Sequence, residues 1–178
     1  MKTALLVMDM QDVLVYGRKN IPYVPSRPMQ GVRDSGIADN INNLIHFFNK
    51  HNMPVFDINF KPEEYGQTIY DIKKNYNENV VPIVKNYQDA FFNTNLEKEL
   101  GAKKVTGVVI AGLNTDESID QTMESAIIWR NYQVHISNDA ITSQKKRVFE
   151  YYSSLAKFYL LNLLHRNNDR LKSAISFD

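Results

Sequence analysis

The chain has 178 residues and balances 21 Lys and Arg against 20 Asp and Glu, for a formal net charge of +1, which gives no footing for a nucleic-acid partner. Its 43% hydrophobic and 23% charged content is ordinary globular usage, and the length suits one domain, 1–178, with a sizeable core. The absence of cysteine excludes disulfides, thiolate metal sites and cysteine nucleophiles, and no apolar run is long enough for a membrane span or signal core, so a soluble cytoplasmic protein is expected.

Residues 4–8 read as a first buried strand ending at Asp9. A long proline-containing loop, 17–35, follows, and then Ile37, Ile41, Leu44, Ile45 and Phe48 recur at helical spacing behind a cap at Asp34 or Ser35. Residues 54–60 form a second strand, 61–79 a polar irregular stretch, and 80–84 a third strand. Thr94-x-x-Glu97 reads as a capping box opening a short helix that stops at Gly101. A fourth strand over 105–111 meets a helix over 115–130, and a fifth strand covers 132–137. Ser143 opens a long helix to about His165, and 174–177 could add a last strand. Strands alternating with helices predict a three-layer α/β/α fold around a mostly parallel sheet of five or six strands.

Three polar residues stand where apolar runs end: Asp9, Lys85 and Ser118. In an open α/β sheet such positions share the carboxyl edge, where ligands bind. A carboxylate beside a lysine can hold each other's charge states and move protons. Ser118, in the first turn of a helix that starts at Thr115 with Asp116 and Glu117, is a candidate nucleophile beside free helix N–H groups.

Three segments carry a family resemblance. Ala4-Leu5-Leu6-Val7-Met8-Asp9-Met10-Gln11 resembles the opening strand of the isochorismatase-like (cysteine hydrolase) superfamily. Val84-Lys85-Asn86-Tyr87-Gln88-Asp89-Ala90-Phe91-Phe92-Asn93-Thr94-Asn95-Leu96 resembles its lysine segment, and Ala111-Gly112-Leu113-Asn114-Thr115-Asp116-Glu117-Ser118-Ile119 its nucleophile turn. The likeness continues through Thr122 and Ala126 to Asp139-Ala140.

The resemblance implies an Asp–Lys–Cys triad that hydrolyses small amides and related bonds without an organic cofactor. Asp9 would transfer protons, Lys85 would hold Asp9 and the nucleophile in their working states, and the nucleophile position falls on Ser118. It also implies a cis peptide at Leu113–Asn114, with the backbone N–H groups of Asn114 and Ser118 as oxyanion donors. Cysteine is partly thiolate near neutral pH, whereas a serine hydroxyl needs a strong base beside it. Ser118 therefore has several readings: a working serine nucleophile; a bystander in acid cleavage of a vinyl ether, as in isochorismatases proper; a remnant in a silent ligand-binding or scaffold relative; or an engineered replacement in a cysteine hydrolase.

Nicotinamidase-type members of the family hold a metal with an Asp-x-His pair near the second strand. Here that segment reads Asp57-Ile58-Asn59, so no metal is expected. Tyr16, Phe60, Tyr87 and Phe91 are candidate pocket walls suited to stack on a flat small-molecule substrate, with core an equal reading for Tyr87 and Phe91. Gln11 and Asp12 would orient Asp9 or substrate, or lie in a surface loop; Trp129 reads as core or interface. The resemblance also implies a homo-oligomer, and Phe149, Tyr151, Tyr152, Phe158 and Tyr159 exceed what one helix face can bury, placing an interface on the last helix.

Overall fold

In a computed structural model, residues 2–17 and 36–142 are described. The strands are β1 (Thr3–Met8), β2 (Val55–Phe60), β3 (Val81–Lys85), β4 (Gly107–Gly112) and β5 (Gln133–Ile141). They form a 5-stranded sheet in the order β3-β2-β1-β4-β5, with every neighbouring pair parallel. Between them run α1 (Asp12–Tyr16), α2 (Ile37–Lys50), α3 (Pro62–Tyr65), α4 (Tyr70–Lys73) and α5 (Leu96–Ala102). The crossover from β4 to β5 is α6, built from a π-helical turn (Thr115–Ile119), an α-helical turn (Asp120–Glu124) and a second π-helical turn (Ser125–Trp129).

The strand period of two divides β1 between the faces of the sheet. Ala4, Leu6 and Met8 pack with Ile58, Ile83 and Ile110 under Leu96, Leu100, Ile119 and Ala126 of α5 and α6. Leu5 and Val7 point the other way, against Ile37, Ile41, Ile45 and Phe48 of α2. Both faces of β1 are thus covered, which is why its sequence is a continuous apolar run rather than an alternating one. The order reverses beside β1, since β2 and β3 lie on one side and β4 and β5 on the other. This switch point opens the crevice that will hold the site.

Several expectations need correction. The stretch read as irregular contains α3 and α4, each of four residues. Pro62 starts the first at its N-terminus, and Ile72 of the second is buried against the α2 face, a tertiary contact that a polar sequence does not signal. The cap of α2 is Gly36 in the left-handed region, φ 69°, while Asp34 and Ser35 lie outside the described residues. Thr94 does not form a capping box: Asn95 is the α5 cap, and the Thr94 hydroxyl donates to the Ala90 carbonyl at 2.6 Å while accepting from Leu96 N at 3.2 Å. Trp129 is not core, being 77% exposed. The helix expected from Ser143, its aromatic interface and the strand expected at 174–177 lie outside the described residues.

Helix α6 carries Asp116, Asp120 and Glu124 one turn apart, a spacing at which like charges repel. Asp120 is half-buried, and burial, then Glu124 and Asp116, raise its carboxyl from 3.8 to about 6. A carboxyl raised in the fold burdens the folded state only where the unfolded chain is ionised. The burden is absent below pH 3.8, grows between 3.8 and about 6, and is complete above. Asp120→Asn is therefore expected to raise the melting temperature at pH 7–8, with the gain fading as pH falls through about 6 toward 4. Thermal melts of both proteins across that range check this, and a gain independent of pH would show that the carboxylate is not its source.

Candidate active site

Three chain turns converge at the switch point. At the end of β1, Asp9 takes a left-handed backbone, φ 57°, which aspartate tolerates better than most residues, and its N–H donates to Ile58 O at 2.8 Å. At the end of β4, Gly112 has φ 120°, and a Cβ there would lie 2.1 Å from the Met8 carbonyl oxygen. Only glycine lets β4 come that close before Leu113 N bonds Met8 O at 2.9 Å. The third contributor is Lys85, the last residue of β3.

Lys85 lies a full strand beyond β2 from Asp9, so its stem must cross β2, where Phe60 is its register partner. The ammonium rests 3.6 Å from the Phe60 ring centroid, a cation–π contact in a dry setting. Gln11 holds Phe60 in place. Its amide oxygen accepts from Phe60 N at 2.9 Å, and its amide nitrogen donates to Phe60 O at 3.0 Å and Gly66 O at 2.7 Å.

The fully buried Lys85 Nζ donates to Asp9 Oδ2 at 3.0 Å, to Ser118 Oγ at 2.8 Å and to the Gln88 carbonyl at 3.3 Å. The Ser118 hydroxyl donates in turn to Gln88 Oε1 at 2.6 Å. Asp9 Oδ1 is buried without a hydrogen-bond partner among the described residues. Burial raises the Asp9 carboxyl, with the Lys85 charge pulling against it. Burial likewise lowers the Lys85 ammonium, opposed by Asp9. Both shifts run toward the neutral form, so the pair is drawn toward sharing one proton across its contact.

The turn ahead of Ser118 departs from expectation. All peptides among the described residues are trans, so the cis bond expected at Leu113–Asn114 is not formed; the chain reverses through the left-handed Asp9 and the positive φ of Gly112 instead. The first helical N–H is not free either, because Thr115 N donates to the Thr142 carbonyl at 3.1 Å. The Asn114 carbonyl accepts from Glu117 N at 3.2 Å and from Ile119 N at 3.1 Å, the second a π-type bond that widens the turn around Ser118. The Asn114 N–H donates to no backbone carbonyl among the described residues.

Asp9, Lys85 and Ser118 are brought together as their positions at strand ends and a helix start suggest, with Phe60 beside them. Gln11 is buried, with its amide spent on the backbone of Phe60 and Gly66, so it positions Phe60. Phe91 belongs to the core, stacked on Tyr132 at 5.8 Å, because the chain after Lys85 folds back beneath α6. Tyr87 is half exposed and meets Phe92 edge-on at 4.8 Å, so it is neither core nor a neighbour of the ammonium. Tyr16 sits at the end of α1, partly exposed, and Asp12 is exposed at its start. Gln88 went unmarked in the sequence: it lies in an aperiodic turn, where an amide side chain gives no pattern.

The segment where the resemblance to nicotinamidase-type members would place a metal holds a polar cluster. Thr68 Oγ1 donates to Asp57 at 2.9 Å from Oδ1 and 2.8 Å from Oδ2, Tyr76 Oη donates to Oδ1 at 3.0 Å, and Asn59 Nδ2 donates to Thr68 Oγ1 at 2.9 Å. Asp57 accepts from Thr68 and Tyr76, and an asparagine stands where the resemblance would place a histidine, its Oδ1 buried without a partner among the described residues. No group of three or more His, Cys, Asp or Glu side chains able to hold a metal ion occurs among the described residues. No helix among them is long and apolar enough to cross a membrane.

Comparison with known proteins gives the family and the fold. The Isochorismatase domain model matches residues 3–153. An uncharacterized isochorismatase family protein of Bacillus subtilis (strain 168) is 29% identical over 137 residues, 71% of each chain. A probable inactive nicotinamidase of Arabidopsis thaliana is 30% identical over 162 residues, 78% of this chain and 79% of the relative. Among solved structures, nicotinamidase/pyrazinamidase from Bacillus subtilis superposes with a TM-score of 0.73 at 20% identity, covering 99% of this chain and 100% of that one. The N-carbamoylsarcosine amidase from Thermoplasma acidophilum gives a TM-score of 0.69 at 22% identity, over 85% of this chain and 90% of that one. At such identities the two structures share the fold.

The buried pair makes a stability prediction. Lys85→Met leaves Asp9 without its cation and is expected to cost about 3–5 kcal/mol of unfolding free energy. An Asp9→Asn/Lys85→Met double variant should recover most of that loss, because no uncompensated charge then remains in the core and asparagine tolerates the left-handed backbone. Urea unfolding of the wild type, both single variants and the double variant checks the coupling; strictly additive losses would disprove it.

Proposed function

The chain belongs to the isochorismatase family, and from that premise we propose that it hydrolyses a small molecule by proton transfer from Asp9, with Ser118 a hydrogen-bonding group rather than the nucleophile. The observation that carries this reading is the destination of the Ser118 proton. It lies on Gln88 Oε1, a neutral amide oxygen that cannot act as a general base, while Lys85 donates to the same Oγ. A hydroxyl so placed has no route to an alkoxide.

Asp9 has what acid chemistry needs. Burial favours its protonated form, the partner ammonium lies 3.0 Å away to hold the carboxylate once the proton has left, and Oδ1 has no partner among the described residues. The substrate class this suits is a small vinyl ether, of which isochorismate is an example. The Asp9 carboxyl protonates the terminal vinyl carbon, and the electron pair of the double bond forms the new C–H bond. The cation left behind is stabilised by the ether oxygen. Water adds to it and returns a proton to Asp9, and the hemiketal collapses to an alcohol and a carbonyl compound. One water is consumed and no covalent enzyme intermediate forms. Phe60, and Tyr65 at 5.0 Å between ring centroids, supply a flat wall beside the acid.

A small amide is the other substrate class of the family, but its hydrolysis here would demand attack by Ser118. A silent, ligand-binding role is the second reading. It is favoured by an ammonium whose hydrogen bonds are all made within the chain and by the Arabidopsis relative named a probable inactive nicotinamidase.

The test is a hydrolysis assay on isochorismate and on nicotinamide. Turnover of the vinyl ether is expected, with Asp9→Asn losing about 10²–10⁴-fold in kcat. Ser118→Ala should stay within about tenfold of wild type, the worth of one hydrogen bond. Equal losses in both variants would replace this mechanism with a covalent one, and absence of turnover on either substrate would favour the binding role.

A further inference from the structure

We propose that Gln88 is a positioning residue that keeps Ser118 out of covalent chemistry, taking on Oε1 the proton that would otherwise pass to Asp9. The inference rests on position 118 being the family's nucleophile position. Its evidence is the hydrogen-bond pattern around one oxygen. Ser118 Oγ accepts from Lys85 at 2.8 Å and has a single proton, which goes to Gln88 at 2.6 Å. In its ionised form the Asp9 carboxylate is the base of the cluster, and its Oδ1 is buried and left without a partner among the described residues. The nearest base is therefore idle while a neutral amide holds the proton. An acceptor placed on an O–H or S–H favours the protonated form and disfavours the anion.

The Gln88 side chain can do this because its backbone is anchored separately. Its carbonyl accepts from Lys85 Nζ at 3.3 Å and from Thr122 Oγ1 at 3.5 Å. The next residues are tied to α6, with Thr122 Oγ1 accepting from Ala90 N at 3.0 Å and Ser125 Oγ donating to Asp89 Oδ2 at 2.8 Å. Removing the amide leaves these anchors in place. Gln88 is thus separable from the buried pair, which makes it a residue that decides which chemistry the pair supports.

The chain has no cysteine, so a thiol placed at 118 can be read alone. In Ser118→Cys, the rate of alkylation by iodoacetamide is followed against pH, since the thiolate is the reacting species. The midpoint reports the ionisation of the thiol and is the readout, while the plateau reports access of the reagent. Adding Gln88→Leu should lower the midpoint by about one pH unit, raising alkylation on the rising limb about tenfold. Adding Gln88→Glu should raise the midpoint, through like charge beside the thiolate. An unchanged or raised midpoint with Gln88→Leu overturns the assignment. If Gln88→Leu fails to fold, Gln88→Glu decides alone, and an unmoved midpoint there overturns it equally. Alkylation needs no substrate, so the assignment of Gln88 and the proposed vinyl-ether activity can fail independently.

Discussion

A single ammonium, fully buried at the carboxyl edge of the sheet, sets the terms for everything around it. Lys85 has left water, and a charge in that position persists only if its hydrogen bonds are met. Asp9, Ser118 and the Gln88 carbonyl meet them, and the Phe60 ring faces the charge from below. Each of those partners requires something further along the chain: a left-handed residue after β1, a glycine closing on Met8, and a glutamine clamping the end of β2. The geometry of the crevice is in this sense the solvation shell of one cation. Such a buried ion pair costs more than an apolar core of the same volume would.

Within that shell the difference between oxygen and sulfur decides the reaction. A thiol beside an ammonium ionises readily, whereas a hydroxyl does not, and the same ammonium that would stabilise a thiolate merely donates a hydrogen bond to serine. Gln88 completes the change by accepting the hydroxyl proton. In the proposed reaction the chemistry falls to the Asp9–Lys85 pair. Desolvation pushes both members toward neutrality, which lowers the difference between a proton on nitrogen and a proton on oxygen.

Along β2, Asp57 accepts from Thr68 and Tyr76 while Asn59 donates to Thr68, which ties the strand that carries Phe60 to the segment that follows it. Asn59 Oδ1 is buried without a partner among the described residues.

The sequence by itself determined the layers and the order of the elements. Continuous apolar runs at β1 and β4 can only be strands covered on both faces, and the period of α2 can only be a helix with one buried side. It also marked Asp9, Lys85 and Ser118, because a polar residue directly after an apolar strand stands out against local pattern, and three such motifs in one order carry a family resemblance. Gln88, Gln11 and the fate of Phe91 gave no such signal. Their roles depend on contacts between residues far apart in the chain, such as Ser118 with Gln88 and Gln11 with Phe60, which no local period encodes. The trans backbone through Leu113–Asn114 and the engagement of Thr115 N by Thr142 were likewise decided by the close packing of β4 against β1 and by the chain after β5. Pattern reports which face of an element avoids water; where a proton goes is set by atoms within about 3 Å of it, and only the assembled fold brings those atoms together.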